Sequence, residues 1–579
     1  MGDDELQRLT EQRAAATGAI VNSAARKRLI VSGPGTGKSF TFRQALAKAI
    51  EQAGGGKGLA LTFIRNLVAD LEKDLGSLAD VFTFHGYCKH LMHSHNVAGL
   101  AAGDYYPALL ELVVGDVLLV DGRAMTIEEI NEHLLKLDTT DDVIAVALER
   151  ADYYSAVSHN DVVYRVLRHF EGAPDTIPEY PLIVVDEFQD FSLLETKFIE
   201  LLGSKSPVLI AGDDDQALYM NLKYASPDFI RAIATDGTHE TFELPFCSRC
   251  TEVVVAAVND VIAKAVAIGK LQNRLAKPLR CFLPDKKAAS DENPKIIHVD
   301  CSTANTDYAG QYIAQQIAQI PAEDIERSHA NGYPTALVIG PNPFLSRAFK
   351  VVQERFPRAR LKKSDQPGVD ILDGYRRVAA NERSRLGWRI VIECCPFHGW
   401  QQKLKTALET DTDIYDHLPD DYRDEHIENV RLAAQLIETG TLTDENEQML
   451  CAAADGRSID DVRMFLNVAD PDALEDMPVT NWDGDTPDIL FTSLVGSKGL
   501  SAEHVLVVGM NNNHFPRNAA AITDDEVCSL IVALSRTRKR CHVISFRWFG
   551  SGGLAQSVFL GWLAPHLQTV TVNKDYDFS

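Results

Sequence analysis

The chain has 579 residues, with 82 acidic against 57 basic side chains, a formal net charge of −25 and 45% hydrophobic residues. Such a length exceeds one hydrophobic core and predicts about three or four domains. The negative balance excludes a protein that coats nucleic acid by bulk electrostatics, though a narrow groove with local positive or aromatic lining is compatible with it.

The N-terminus Met1-Gly2-Asp3-Asp4-Glu5 is acidic where a secretory signal would be basic. No run approaches the roughly 20 apolar residues of a membrane span, so a cytoplasmic protein without membrane contact is expected. The first predicted helix carries Gln12, whose side-chain amide can both donate to and accept from an adenine edge. A strand over 28–31 then runs into Ser32-Gly33-Pro34-Gly35-Thr36-Gly37-Lys38-Ser39 and an amphipathic helix with Phe42, Leu46, Ala49 and Ile50 on one face.

That strand, loop and helix form a phosphate cradle. Gly33, Pro34, Gly35, Thr36 and Gly37 turn backbone N–H groups inward, the helix start adds its dipole, Lys38 reaches the β/γ-oxygens of ATP, and the Ser39 hydroxyl is a Mg²⁺ ligand. The strict pattern has glycine where this chain has Ser32.

A glycine-rich turn at 54–58 leads to a strand ending at Phe63, and another strand ends in Thr83-Phe84-His85 before a helix. Aromatics at strand ends stack on unpaired bases at roughly 1–3 kcal/mol per base, with core packing the equal alternative for each. Residues 93–180 read as a helical insertion, with a capping box at Thr126 and Glu129 and a proline-rich loop closing it at 174–181.

The apolar run 182–185 then ends in Asp186-Glu187-Phe188-Gln189-Asp190. Four apolar residues predict a buried central strand, and open α/β sheets bind ligands at such C-terminal ends. Asp186 would hold Mg²⁺ directly or through water, and Glu187 would accept the proton of the attacking water. A further strand over 207–211 ends in Gly212-Asp213-Asp214-Asp215-Gln216-Ala217-Leu218-Tyr219.

These blocks, in this order, resemble the UvrD/Rep/PcrA group of superfamily 1 DNA helicases. Leu244 to Thr251, followed by Asn259, is similar to the family's L-x-x-N-Y-R-S-T block, and Ser493 to Leu500 to its T-L-H-S-A-K-G-L block. The helix ending Val532-Ala533-Leu534-Ser535-Arg536-Thr537 matches the one ending in V-T-R-A. The resemblance implies an α/β fold of two RecA-like parallel-sheet domains, each with a mainly helical insertion. Residues 1–92 and 181–243 would form the first domain, 93–180 its insertion, 244–370 and 481–579 the second domain, and 371–480 a short acidic accessory insertion.

It further implies that Arg249 and Arg536 meet the γ-phosphate, that Gln216 couples nucleotide to strand contacts, and that Phe63, Thr83, Phe84, His85, Tyr219 and Lys498 touch single-stranded DNA. The activity implied is ATP-driven 3′ to 5′ movement on single strands and at single-to-double-strand junctions, with unwinding. The other reading is an ATP-switched recruitment or remodelling protein that docks a protein partner on the acidic insertion.

Departures from the family pattern fall where the base and the strand are held. Phe40 follows the phosphate loop where relatives are often basic, and Ser248 replaces the adenine-stacking tyrosine, leaving Phe40, Phe246 and Arg43 as candidates. Val495 replaces the histidine of the K-G-L block, and Met220 to Tyr224 replaces an aromatic and R-G-A segment. Cys247 and Cys250 form the only CxxC among ten cysteines; without a second ligand pair for zinc, the spacing is read as a coincidence of the arginine block.

Overall fold

Two separate parallel sheets are built around central strands that are nearly all apolar and buried, such as Ile183–Val185, Val208–Gly212 and Ala336–Ile339, as strands covered on both faces must be, while edge strands such as Glu240–Glu243 are polar and exposed. The computed structural model describes residues 3–63, 65–95, 104–220, 224–303, 305, 307–362, 368–467, 486–550 and 552–578. The first sheet comprises β1 (Lys27–Val31), β2 (Gly58–Thr62), β3 (Ala79–Thr83), β4 (Ile183–Val185), β5 (Val208–Gly212) and β6 (Glu240–Glu243), in spatial order β3-β2-β4-β5-β1-β6. Every pairing is parallel. In-register pairs such as Val31 with Gly212 and Val185 with Ile210 align the strand ends that carry the phosphate loop, the carboxylates and the GDDDQ segment.

The second sheet contains β7 (Ile296–Cys301), β8 (Ala336–Ile339), β9 (Arg360–Leu361), β10 (Ile489–Thr492), β11 (Ala502–Val508), β12 (Thr537–Phe546) and β13 (Leu567–Val572). Its order is β9-β10-β8-β11-β12-β7-β13, again all parallel. The α/β architecture of two RecA-like sheets is therefore present. Between β6 and β7, a two-residue strand Phe246–Cys247 pairs in parallel with Arg280–Cys281, and helix Glu252–Ala267 packs on helix Asp524–Ser535.

The first insertion consists of helices Leu109–Asp121, Ile127–Lys136, Val143–Tyr153 and His159–Gly172. Its capping box forms: the Glu129 N–H donates to Thr126 Oγ1 at 3.1 Å and the Thr126 N–H to Glu129 Oε2 at 3.4 Å. The expected boundary at residue 93 falls inside a continuous helix, Phe84–His95, because Tyr87, Cys88, Leu91 and Met92 form one buried stripe against helix His159–Gly172. The boundary expected at 480 lies outside the described residues.

Six helices from Ile371–Ala380 to Ile459–Asn467 form the accessory unit. It shares one hydrophobic core with the first insertion. Arg389 Nε donates to Asp116 Oδ1 at 2.9 Å, both side chains being buried, and Tyr153 OH donates to the Thr412 carbonyl at 2.6 Å. Among the described residues, no helix is long and apolar enough to cross a membrane.

Candidate active site

The loop after β1 takes its shape from two residues in the left-handed region, Gly35 at φ 66° and Gly37 at φ 88°. At Gly35 a side chain is excluded twice, since a Cβ there would lie 2.5 Å from Arg249 Cβ and 3.2 Å from Cys247 Sγ. The Ser248 N–H donates to the Gly35 carbonyl at 2.8 Å, so the arginine block lies directly against the phosphate loop. Gly37 caps helix Lys38–Ala53, whose first-turn N–H groups and dipole face the loop's concave side.

Lys38 Nζ lies 3.4 Å from Glu187 Oε1 and 4.0 Å from Asp186 Oδ1. Burial works against its charge, but Glu187, Asp186 and Asp213 outweigh burial and hold its pKa above the ordinary value. The two carboxylates behave differently. Burial raises Asp186 to about 6 despite Lys38. Glu187, equally buried, is driven below the usual carboxylate range by Lys38, Lys498 and the hydrogen bond from Gln189 Nε2, 2.6 Å from Oε2. Glu187 is thus ionised at neutral pH, as an acceptor for a proton of water must be. It occupies a left-handed conformation, φ 55°, at the turn leaving β4.

Gln189 and Asp190 are fully buried. Gln189 Oε1 accepts the Asp213 N–H at 2.9 Å, which ties the carboxylate strand to the GDDDQ segment. Asp190 accepts the Leu218 N–H at 3.2 Å and pairs with Lys498 of the second domain, which also donates to the Gln216 carbonyl at 2.7 Å. Gln216 Nε2 donates to Asp213 Oδ2 at 2.5 Å, and its Oε1 accepts from Arg536 Nη2 at 2.9 Å. Arg536 is anchored by the Val532 and Leu500 carbonyls at 2.9 and 3.1 Å. Burial, then the like charge of Arg249, lowers its pKa to about 9. Arg249 is half-buried and has no ion-pair partner among the described residues.

Asp213, Asp214 and Asp215 are all buried, with ligand oxygens within 4.8 Å of one another. The place of a cation among them is filled by Lys277, whose Nζ lies 2.9, 2.6 and 2.8 Å from the three carboxylates. Arg231 and Arg274 complete the neutralisation at 3.0 and 2.6 Å. A buried acidic cluster without such partners would carry a cost of several kcal/mol per charge, about the penalty of any unpaired buried ion.

The residues expected to hold the base are spread out. Gln12 and Arg43 are exposed, whereas Arg13 stands over the loop, 5.2 Å from the Phe282 ring centroid and 5.9 Å from that of Phe40. Phe246 is buried against Phe282, with centroids 5.4 Å apart. On the expected strand path, Phe63 packs on Tyr219 with centroids 5.0 Å apart, His85 stacks on His159 at 3.6 Å, and Thr83 Oγ1 accepts the Gly86 N–H at 3.0 Å. Phe84 and Lys498 are withdrawn into the interior, Phe84 against Phe191 and Phe198 and Lys498 against Asp190. Asn221 to Lys223 lie outside the described residues.

The donors near Lys38, the Asp186 carboxylate and the Ser39 hydroxyl at the helix start, are hard oxygen ligands of the kind Mg²⁺ takes, usually alongside waters and phosphate oxygens. Pro34 and Thr36 are buried within the loop, where Thr36 Oγ1 donates to the Gly33 carbonyl at 3.0 Å, and Gly33 packs beneath Leu279. Sequence patterns had not singled out Arg13, Gln189, Asp190, Arg274 or Lys277. Only Gln189 and Asp190 lie in a block that could have drawn attention to them; the others are joined to the site by the fold.

The family described as "AAA domain" matches residues 12–221. DNA helicase II of Haemophilus influenzae is 25% identical over 281 residues, covering 41% of this chain and 38% of that protein. DNA helicase II of Escherichia coli is 24% identical over 273 residues, 40% of this chain and 38% of that protein. The Salmonella typhimurium protein of the same name is 23% identical over the same length and shares. The matched stretch thus spans less than two-fifths of the length of these relatives.

Proposed function

We propose that this chain, UvrD/Rep/PcrA-like in its motif order and its paired RecA-like sheets, is an ATP hydrolase that moves along single-stranded DNA, 3′ to 5′, and separates duplex at junctions. The observation that carries the reading is the shared site: Lys38, Asp186 and Glu187 from the first domain meet Arg536 and Lys498 of the second through Gln216 and Asp190. The first half carries the acceptor for water's proton and one cation, Lys38, and only the second half adds the arginine charge for a developing γ-phosphate.

In this reading the loop N–H groups and Lys38 bind the polyphosphate, and Glu187 takes the proton of the attacking water. Arg249 and Arg536 stabilise the transferred group. Mg²⁺, held by Ser39 and Asp186, would neutralise the β/γ-oxygens. Because the arginines come from the other side of the cleft, hydrolysis requires closure, and reopening after product release moves one domain along the strand. Gln216, bonded at once to Asp213 and Arg536, relays the state of the cleft to Tyr219 and Phe63 above it.

The test is the ATPase rate at low salt with and without single-stranded DNA, followed by displacement of a labelled strand. Stimulation with displacement supports the motor. A specific observation favours the second reading, an ATP-switched protein that recruits a partner: the accessory helices share a core with the first insertion, and the chain's net charge is −25. Stimulation by a protein alone, without displacement, would select it.

A further inference from the structure

Cys247, at the end of the short strand Phe246–Cys247, and Cys250, in the turn that leads to helix Glu252–Ala267, flank Arg249. All ten cysteines are unbridged, and these two are buried. The Cys250 N–H donates to Cys247 Sγ at 3.4 Å, and Cys250 Sγ donates to the Ser535 carbonyl at 3.4 Å. The pair is therefore wedged between the phosphate loop, which touches Cys247 at Gly35, and the residue preceding Arg536. We infer that Cys247 and Cys250 are a redox-active dithiol, a modification site at which a small peroxide closes a disulfide and, by moving Arg249, stops the ATPase reaction proposed above. The regulatory half of this inference rests on that reading, whereas formation of the disulfide does not.

Three features single out this pair. A thiolate is stabilised by N–H groups directed at it and by a neighbouring cation, and Cys247, which receives the Cys250 N–H and lies two residues from Arg249, has both. Here the Cys250 thiol, the N–H groups of Cys250 and Arg249 and the Arg249 charge outweigh burial and lower Cys247 to about 6, while Cys250 is raised far above the usual thiol range. One partner thus attacks as thiolate while the other keeps its proton. Cys281 is the in-register neighbour of Cys247, but its thiol points to the Cys250 carbonyl, 3.8 Å away.

The step balances with hydrogen peroxide as oxidant. The Cys247 thiolate attacks one peroxide oxygen, the O–O bond breaks, and hydroxide leaves a sulfenic acid on Cys247. Cys250 sulfur then attacks that sulfur as its proton passes to the departing oxygen, the S–O bond breaks, water leaves and the S–S bond forms. In sum, two thiols and one peroxide give a disulfide and two waters. Cys250 thereby loses the proton it shares with the Ser535 carbonyl, and the turn carrying Arg249 tightens. A shift of about 1 Å in a positioning group costs up to roughly 100-fold in rate.

The full chain is treated with hydrogen peroxide, blocked with an alkylating reagent and mapped by mass spectrometry without reduction, with ATPase assayed before, after and following dithiothreitol. A Cys247 to Cys250 disulfide that tracks a roughly 10- to 100-fold ATPase loss, in the range for a positioned group moved by about 1 Å, and reverses with dithiothreitol is expected. Cys250→Ser should keep the reduced-state rate and form no such bond. Free thiols after peroxide, a Cys247 to Cys281 bond instead, or a disulfide with undiminished ATPase each overturn the inference. Absence of ATPase from the reduced protein refutes the proposed function instead, and the mapping still decides whether the pair is redox-active.

Discussion

Nη2 of Arg536 donates to Oε1 of Gln216 across 2.9 Å, joining a helix end of the second domain to the GDDDQ segment of the first. The same amide donates to Asp213, which is bound in turn to Gln189 beside Glu187. Through these bonds the position of the second domain reaches Glu187, the proposed proton acceptor, without passing through nucleotide. Gln216→Ala should therefore lower DNA-stimulated ATPase by up to roughly 100-fold, the cost of misplacing a positioned group by about 1 Å. Binding of a non-hydrolysable ATP analogue should persist. A variant that keeps full stimulation by DNA excludes the relay.

Glu187 lies between Lys38 and Lys498, and its carboxylate is kept ionised by both. Glu187→Gln keeps the shape and the hydrogen bond from Gln189 but removes the proton acceptor. Turnover should fall about 10²- to 10⁴-fold, the range for loss of a general base, with ATP analogue affinity retained. Lys38→Ala should instead abolish the affinity. Fluorescence titration with a labelled nucleotide separates the two outcomes, and near-normal turnover in Glu187→Gln would remove Glu187 from its role.

How much of this site was legible beforehand follows from sequence distance. The phosphate loop and the carboxylates after β4 are local patterns, because a loop conformation or a strand end is decided within about eight residues. The capping box at Thr126 is of the same kind. Lys277 and Arg274 reach the three aspartates from about sixty positions away, and only the folded chain brings them there. For Phe84, which the sequence left equally open to base stacking and to core packing, the strand ends at Thr83, the helix begins at Phe84 itself, and the ring turns into the core. The shared core of the accessory helices and the first insertion joins segments some 250 residues apart, which no periodicity could reveal.

Asp190 provides a pH test. Burial raises it to about 6 against the pull of Lys498, whereas an unfolded aspartate titrates near 3.9, so between about pH 4 and 6 the folded chain holds a proton the unfolded chain lacks. This group's contribution is most favourable below that window and declines as pH rises through it. Asp186, also raised to about 6, acts in the same direction. Asp161 is raised to about 6 by burial as well, and Asp190→Asn removes one such contribution, so the change in unfolding free energy from pH 4.5 to 5.5 should become more positive by up to roughly 1.4 kcal/mol per pH unit. Urea denaturation at each pH measures it, and an unchanged slope contradicts the assignment.

Arg389 and Asp116 join the accessory unit to the first insertion in a place closed to water. Tyr154 donates to the other oxygen of Asp116, and Glu393 holds a second face of the guanidinium at 2.8 Å. Burial raises the Asp116 pKa in spite of Arg389, so the pair is paid for by the surrounding apolar core and not by its own attraction. Asp116→Ala leaves the guanidinium with Glu393 alone and should destabilise the chain by about 3 kcal/mol, the low end for an orphaned buried charge. Replacing both, Asp116→Leu with Arg389→Met, removes the orphan and should recover most of that loss. If the double variant is as unstable as the single one, the shape of the two side chains rather than their charge holds the accessory helices in place.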